Sequence, residues 1–234
     1  LMKPNELGKI AAQRAIRKLN PKKIKTQAIP ILFEPRIANS LLSTLSDAIS
    51  GGAFARGTSF LKNKLNKKIF SSEINIIDDP LIKKSMYSKP FDAEGVSSKK
   101  IYLVKDGILK NLKLGTYYSK MLNMQTNGRS SGLTNTYFEN GKKSKEELIS
   151  NLEKYILVTE TMGGFGNTTT GEFSCGAAGI YFEGGESYPI NNFTLAGKLE
   201  VIFMNLILAN DLKFKYSKNS PTVLIPEGLV VGGQ

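Results

Sequence analysis

Apolar residues follow a helical spacing over much of the first fifty positions of the chain. In segments 6–19 and 35–49 they recur every three or four residues, which predicts two amphipathic helices. A proline ends the first segment, and two glycines follow the second. Segment 29–33 lies between them and is short and almost wholly apolar, which is typical of a buried strand.

Beyond residue 70 the pattern becomes strand-like. Two hairpins are predicted, one over 99–114 with an Asp-Gly turn and one over 179–190 with a Gly-Gly turn. Ser144 and Glu147 form a capping-box pattern that predicts a helix to about residue 155. The remaining predicted elements are a strand at 156–159, a helix at about 195–210, and strands at 212–216 and 222–225. Together they predict an α+β fold, a β-rich domain of antiparallel or mixed sheet with several packed helices, formed by residues 1–234 as one domain.

Composition restricts the chemistry that is available to this chain. The sequence has one cysteine and no histidine, which excludes an internal disulfide, a thiolate metal cluster and the histidine-based zinc and nucleophile motifs. A single cysteine fits the reducing cytoplasm. The longest apolar run, at 201–209, contains Asn205 and is too short for a membrane span, so we expect no membrane association.

The net charge of +12 is concentrated at one end of the sequence. Residues 1–70 contain 14 Lys or Arg against 3 Asp or Glu, a balance of +11. Such an excess could form a surface for nucleic acid or for an acidic partner. The lysines are scattered and no aromatic residues are interleaved with them, so we favour solvated helix faces and do not expect nucleic-acid binding.

The glycine-rich segment 162–171 is the most unusual local feature. It lacks the Lys and Ser/Thr of a phosphate-binding loop, because Glu172 follows its last glycine. Its bare backbone could pair with an extended peptide, or it could be an ordinary connection between strands; both interpretations remain open.

No side-chain pattern favours catalysis. The acidic pairs show no hydrolase spacing, and those at 183 and 186 flank a turn; the pairs are Asp78 and Asp79, Asp92 and Glu94, and Glu183 and Glu186. Cys175 lies among small residues and has no histidine to form a thiolate pair, so we expect it to be a packing residue.

Ten sequence blocks occur in one order along the chain: AISGGA (48–53), RGTSF (56–60), PFDAEGV (90–96), TNTY (134–137), LVTE (157–160), GEFS (171–174), GAAG (176–179), YPI (188–190), LAG (195–197) and GLVVGG (228–233). In this combination the chain resembles the TldD/PmbA family, historically labelled modulators of DNA gyrase. The resemblance covers essentially the whole chain and implies the C-terminal domain of such a protein, with an N-terminal domain ahead of it.

The resemblance also implies a division of labour between two kinds of subunit. TldD-type members carry a His-Glu-x-x-x-His helix that binds zinc, and TldE/PmbA-type members lack it. The corresponding helix here, residues 41–48, has no histidine, and Cys175 does not match the family's ligand cysteine. We therefore expect no catalytic residue, metal ligand or cofactor in this chain, with zinc only in a TldD-type partner.

The function implied by the resemblance is that of a non-catalytic subunit in a cytoplasmic heterodimeric metallopeptidase. Its substrates would be unfolded or extended peptides, as in peptide-antibiotic maturation and antitoxin degradation, held as an added β-strand. We predict peptide contacts at Thr134, Asn135 and Thr136, as an exposed strand edge, and at Gly163 and Gly164. The alternatives are a DNA- or gyrase-associated regulatory protein and a homodimer without a TldD-type partner.

Overall fold

The computed structural model describes residues 3–233 as two β-sheets and six helices. In chain order the elements are α1 (Pro4–Ile16), β1 (Gln27–Ala28), β2 (Ile31–Phe33), α2 (Pro35–Ala48), α3 (Gly51–Arg56), β3 (Ile76–Asp78), β4 (Ile101–Lys105), β5 (Ile108–Leu109), α4 (Thr116–Met121), β6 (Thr136–Phe138), α5 (Lys145–Ile149), β7 (Lys154–Met162), β8 (Glu172–Glu183), β9 (Glu186–Lys198), α6 (Leu199–Asn205), β10 (Ile207–Leu208), β11 (Lys218–Asn219), β12 (Val223–Ile225) and β13 (Leu229–Gly232). The predicted α+β class is confirmed.

The larger sheet has eight strands in the order β1-β13-β9-β8-β7-β2-β12-β10. All of its pairings are antiparallel except that between β2 and β7. The smaller sheet has five strands in the order β11-β6-β3-β4-β5, and its only parallel pair, within the described residues, is β11 with β6.

The main core connects the two sheets with α2 and α6, and Phe54 of α3 packs against it. A smaller core covers the opposite face of the large sheet. β2 contributes to both, because Ile31 and Phe33 point into the main core while Leu32 packs with Leu148 of α5 in the smaller one. A strand that is buried on both faces has no polar positions. This burial explains why segment 29–33 is almost uniformly apolar, and the predicted strand is confirmed.

Several other predictions are confirmed by the structure. α2 covers the predicted helix, and β8 and β9 form the predicted second hairpin with longer arms than expected. The capping box is present: Glu147 N donates to Ser144 Oγ at 3.1 Å, and Ser144 N donates to Glu147 Oε2 at 2.6 Å. Across residues 3–233, no helix combines the length and the apolar character that a membrane crossing requires.

Some element boundaries were wrong. The helix after Ser144 ends at Ile149, because the chain turns into β7. The helix predicted at 195–210 is only α6, since residues 195–198 belong to β9 and pair with β8 and β13. Segment 212–216 is not a strand, and the second arm of the first hairpin is only β5.

The first predicted helix forms as α1 but does not bury its apolar face. No residue of α1 is buried, and the side chains of Leu7 and Ile16 are 60% and 65% exposed. Two contacts beyond its C-terminal end attach this region to the large sheet: Lys18 pairs with Glu160, and Lys22 N donates to Pro189 O at 2.8 Å. The end of α1 thereby lies over β7 and β9.

Candidate functional site

The N-terminal half of α2 is surrounded by three neighbouring hollows that share Arg36 in their walls. The first, of about 210 Å³, lies over β7, β8 and β9 and is bounded by the C-terminal end of α1. The second, of about 260 Å³, lies toward residues 211–220. The third, of about 370 Å³, separates α2 from residues 160–162 of β7. We call these three hollows together the α2 groove.

One wall of the α2 groove is an open strand edge. β2 ends at Phe33, opposite Val158 of β7, whereas β7 continues to Met162. Residues 160–162 therefore pair with β8 on one side, and on the other side no strand of the described chain lies against them. An unpaired strand segment presents backbone N–H and C=O groups to whatever lies beside it.

Arg36 defines where this open edge begins. Its Nη2 donates to Thr159 O at 2.7 Å, immediately after the last residue that β2 covers. β7 has an irregularity between Val158 and Glu160, which leaves Thr159 without a partner in the register with β8. Irregularities of this kind bend a strand and end its pairing. The arginine thus caps the covered part of β7 and leaves the rest accessible.

Gly163 and Gly164 extend the open edge beyond β7. Both are exposed, and a Cβ added to either would meet no atom within 4 Å. The segment is fixed just after them by Phe165, whose ring packs at 5.0 Å from that of Phe173 and at 5.8 Å from that of Phe33. Bare backbone therefore follows directly after Met162, which lines the groove. That Gly163 and Gly164 contact a peptide stays a prediction.

The prediction of an exposed edge at residues 134–136 was wrong. Thr134, Asn135 and Thr136 are 7%, 2% and 1% exposed, and β6 lies between β3 and β11. The two threonines bind Asp78: Thr134 N donates to Oδ1 at 2.8 Å and Thr136 Oγ1 to the same oxygen at 2.9 Å. These side chains hold the small sheet together, and no main-chain edge is available there for peptide pairing.

Asp78 lies in a fully buried ion pair that sequence reasoning missed. Arg129 Nε donates to Asp78 Oδ2 at 2.6 Å, and both side chains are 0% exposed. The guanidinium also donates to Asn127 O at 2.8 Å and to Lys99 O at 2.6 Å. An aspartate with this many partners is a structural group, and it is not free to act as an acid or base.

Asp92, Glu94 and the cysteine are also occupied or inert, whereas Glu183 and Glu186 lie exposed at the turn between β8 and β9. Burial opposes ionisation of Asp92, but hydrogen bonds from Ser130 and from two nearby backbone N–H groups outweigh it and lower the pKa of Asp92. Glu94 accepts from Thr116 N at 2.7 Å. Burial raises the pKa of the Cys175 thiol to about 11, so it remains a protonated, unreactive thiol at neutral pH.

The residues present do not fit a zinc ion. Within 3–233 there is no group of three or more potential Cys, His, Asp or Glu ligands, and the full sequence has no histidine. α2 contributes Arg36, Asn39 and Ser40 to the groove, a cation and two neutral groups. Zinc sites in proteins are built from thiolates, imidazoles and carboxylates, so this wall offers no zinc ligand.

Comparison with known proteins gives a consistent result. Residues 26–233 match the model of the PmbA/TldA metallopeptidase C-terminal domain. The metalloprotease PmbA homolog of Buchnera aphidicola (subsp. Acyrthosiphon pisum) is 37% identical over 99% of this chain and 52% of its own length. This chain spans about half the length of the curated relatives it matches.

Solved structures show the same fold. A protein described as a modulator of DNA gyrase, from Bacteroides thetaiotaomicron, has a TM-score of 0.89 and 31% identity, over 97% of this chain and 52% of its own. TldE from Thermococcus kodakarensis has a TM-score of 0.81 and 25% identity, over 96% of this chain and 55% of its own.

Proposed function

The chain belongs to the PmbA/TldA metallopeptidase C-terminal domain family, and on that premise we propose that it is the non-catalytic subunit of a heterodimeric zinc peptidase. In this proposal a TldD-type partner supplies the zinc and the bond cleavage. This chain holds an unfolded or extended peptide in the α2 groove as an added strand on β7.

The observation that carries the proposal is the open edge of β7 at residues 160–162. It faces α2 across a hollow of about 370 Å³ and continues into the exposed backbone at Gly163 and Gly164. Strand addition to such an edge uses main-chain hydrogen bonds that every peptide can form, which suits a subunit that receives many different sequences. The groove also keeps the edge beside the helix that carries zinc ligands in TldD-type relatives.

The division of labour is supported by the chemistry of the groove wall. Neither a metal-bound water nor a reactive nucleophile can be assembled from Arg36, Asn39 and Ser40. Asn39 does offer a buried Oδ1 that lacks a hydrogen-bond donor among the described residues. A buried acceptor without a donor is costly, so an N–H of a bound peptide would stabilise this position.

The partner, the substrates and the compartment follow from the same proposal. We expect a heterodimer with a TldD-type subunit in the cytoplasm, acting on unfolded peptides of the kind removed during peptide-antibiotic maturation or antitoxin breakdown. A homodimer of this chain is the alternative assembly. Light scattering with and without the TldD-type subunit separates the two assemblies.

The test uses the natural protein that carries this chain, alone and with a TldD-type subunit. Both are incubated with an unfolded peptide, and cleavage is followed by mass spectrometry with and without a zinc chelator. We expect cleavage only in the mixture and only without the chelator. Zinc-dependent cleavage by this protein alone would overturn the proposal.

Peptide docking is tested separately by amide hydrogen exchange. Bound peptide should slow exchange at residues 160–162, while β1, the outermost strand at one end of the same sheet, serves as an internal control. Protection at β1 with none at residues 160–162 would contradict docking in the α2 groove.

A DNA- or gyrase-associated regulatory role is the second candidate. It is favoured by the +11 balance of residues 1–70 and by the exposure of α1, which carries part of that charge. Binding to duplex DNA should then be strong at low salt and fall steeply as salt rises. Absence of binding at low salt removes this candidate.

A further inference from the structure

The α2 groove is lined by more positive than negative side chains. Six basic residues line its first two hollows, from both ends of the chain: Arg14, Arg17, Lys18, Arg36, Lys213 and Lys215. Three acidic residues line the same hollows: Glu34, Glu160 and Asp211. The excess therefore lies beside the strand edge that the proposed function assigns to the peptide.

Internal contacts already occupy part of this lining. Lys18 pairs with Glu160, and Arg36 donates to a backbone carbonyl. The carboxylate of Asp211 accepts from the N–H and the hydroxyl of Thr222, at 2.7 Å each. These four charged side chains are already engaged within the fold.

The remaining lining is dominated by cations. Four basic side chains of the lining make no hydrogen bond or ion pair with any other part of the chain between residues 3 and 233: Arg14, Arg17, Lys213 and Lys215. Among the acidic side chains of these hollows, Glu34 likewise makes no hydrogen bond or ion pair with another part of the chain between residues 3 and 233. The groove therefore has four cations without an internal partner among the described residues and one such carboxylate. Carboxylates of a bound ligand could pair with these cations.

From this arrangement we infer that the α2 groove selects extended peptide segments that carry Asp or Glu side chains. The inference rests on the proposed function, because the peptide backbone pairs with residues 160–162 while its acidic side chains reach the basic lining. In a strand, residues i and i+2 project from the same face about 6–7 Å apart, so two alternate carboxylates can meet two cations at once. Arg14 and Arg17 suit this role, because a guanidinium binds a carboxylate through two parallel hydrogen bonds.

The expected preference is moderate, since these side chains are solvated. An exposed ion pair contributes about 0.5 kcal/mol, and two such pairs correspond to about a fivefold difference in Kd. The difference should shrink as salt is raised, because exposed charges are screened within about 10 Å at 0.1 M ionic strength.

The experiment compares two labelled twelve-residue peptides that differ only in having Glu or Gln at alternate positions. Binding to the natural protein that carries this chain is measured by fluorescence anisotropy at low and high salt. The variant is Arg14→Gln on α1 with Arg17→Gln immediately after the helix; both side chains are exposed, so the fold should tolerate the change. The matched control is Lys62→Gln with Lys67→Gln, the same change in charge at exposed positions outside the groove.

We expect the Glu peptide to bind about fivefold more tightly than the Gln peptide, and only the Arg14 and Arg17 variant to lose that preference. Equal binding of the two peptides would overturn the inference and leave the proposed function standing. An equal loss in both variants would also overturn it, because net charge alone would then explain the preference. If neither peptide binds, the proposed function itself fails. A further outcome would overturn the inference: the protein shows no preference for the Glu peptide, and duplex DNA competes with that peptide and binds the Arg14 and Arg17 variant more weakly. The groove would then be a nucleic-acid surface.

Discussion

Replacing Arg129 by Met tests the buried ion pair of the small sheet. The substitution keeps most of the apolar stem and removes the guanidinium that donates to Asp78, Asn127 O and Lys99 O. Asp78 then keeps only the N–H and hydroxyl donors of Thr134 and the hydroxyl of Thr136. A carboxylate that is 0% exposed would be left without its counter-charge.

The expected cost is large compared with the stability of a typical domain. Removing one partner of a buried pair costs about 3–5 kcal/mol, because the other charge remains desolvated and unpaired. Native domains are stable by only about 5–15 kcal/mol, so the variant should unfold at a much lower urea concentration. Adding Asp78→Asn to Arg129→Met removes the orphaned charge, so the double variant should lose less stability than the sum of the two single losses.

The assay is equilibrium unfolding in urea, followed by circular dichroism for the parent, both single variants and the double variant. Arg17→Met provides the control, since this arginine is exposed and its loss should change the free energy of unfolding by no more than about 0.5 kcal/mol. A loss below about 1 kcal/mol for Arg129→Met, or strictly additive single losses, would refute the assignment of this pair as a buried structural charge.

Three further predictions follow from other sites. Cys175 should not react with a thiol reagent at pH 8 in the folded protein and should react fully in urea, because burial raises its pKa to about 11; rapid native reaction would contradict its burial. Gly141→Ala should destabilise the fold by about 1–3 kcal/mol, because the added Cβ would lie 1.8 Å from the backbone oxygen of Leu208. Gly8→Ala on exposed α1 should instead stabilise the fold by about 0.5–1 kcal/mol. Calorimetry that ranks the two variants the other way would be inconsistent with the packing. Asp92→Asn should lower the free energy of unfolding at pH 7. Because the folded-state pKa of Asp92 lies below its ordinary value of 3.8, the difference from the parent should persist above pH 3.8 and disappear as pH falls through the folded-state pKa. A difference that stays constant down to about pH 2 would show that ionisation of Asp92 is irrelevant to stability.

Two of the strongest signals in the sequence identified their elements correctly. The capping box at Ser144 and the uniformly apolar segment around β2 both formed as predicted, because each depends on neighbouring residues or on burial from both faces. The helix predicted at 195–210 was wrong because residues 195–197 pair on both sides, with β8 and with β13. Such pairing outweighs the local preference of a short apolar segment.

The candidate site was only partly visible in the sequence for the same reason. Gly163 and Gly164 were recognisable as bare backbone, and in the structure they are exposed and directly follow Met162, which lines the α2 groove. The role of Arg36 depends on β2 ending earlier than β7, a difference in strand length that no motif encodes. Thr136 was misjudged because β11, more than eighty residues later, pairs with it, and Thr134 because its N–H and hydroxyl bind the distant Asp78.

The parallel pair of β2 and β7 also determines when this chain can fold during its synthesis. β2 leaves the ribosome about 125 residues before β7 and about 190 before β12, the two strands between which it lies. Until β7 has emerged, Ile31, Leu32 and Phe33 have neither neighbour in the sheet, and until β12 has emerged they lack the second. Contacts this distant in sequence are slow to form, and an unpaired apolar strand invites aggregation in the interval. The apolar residues of β2 therefore stay exposed to aggregation for much of the synthesis of this chain.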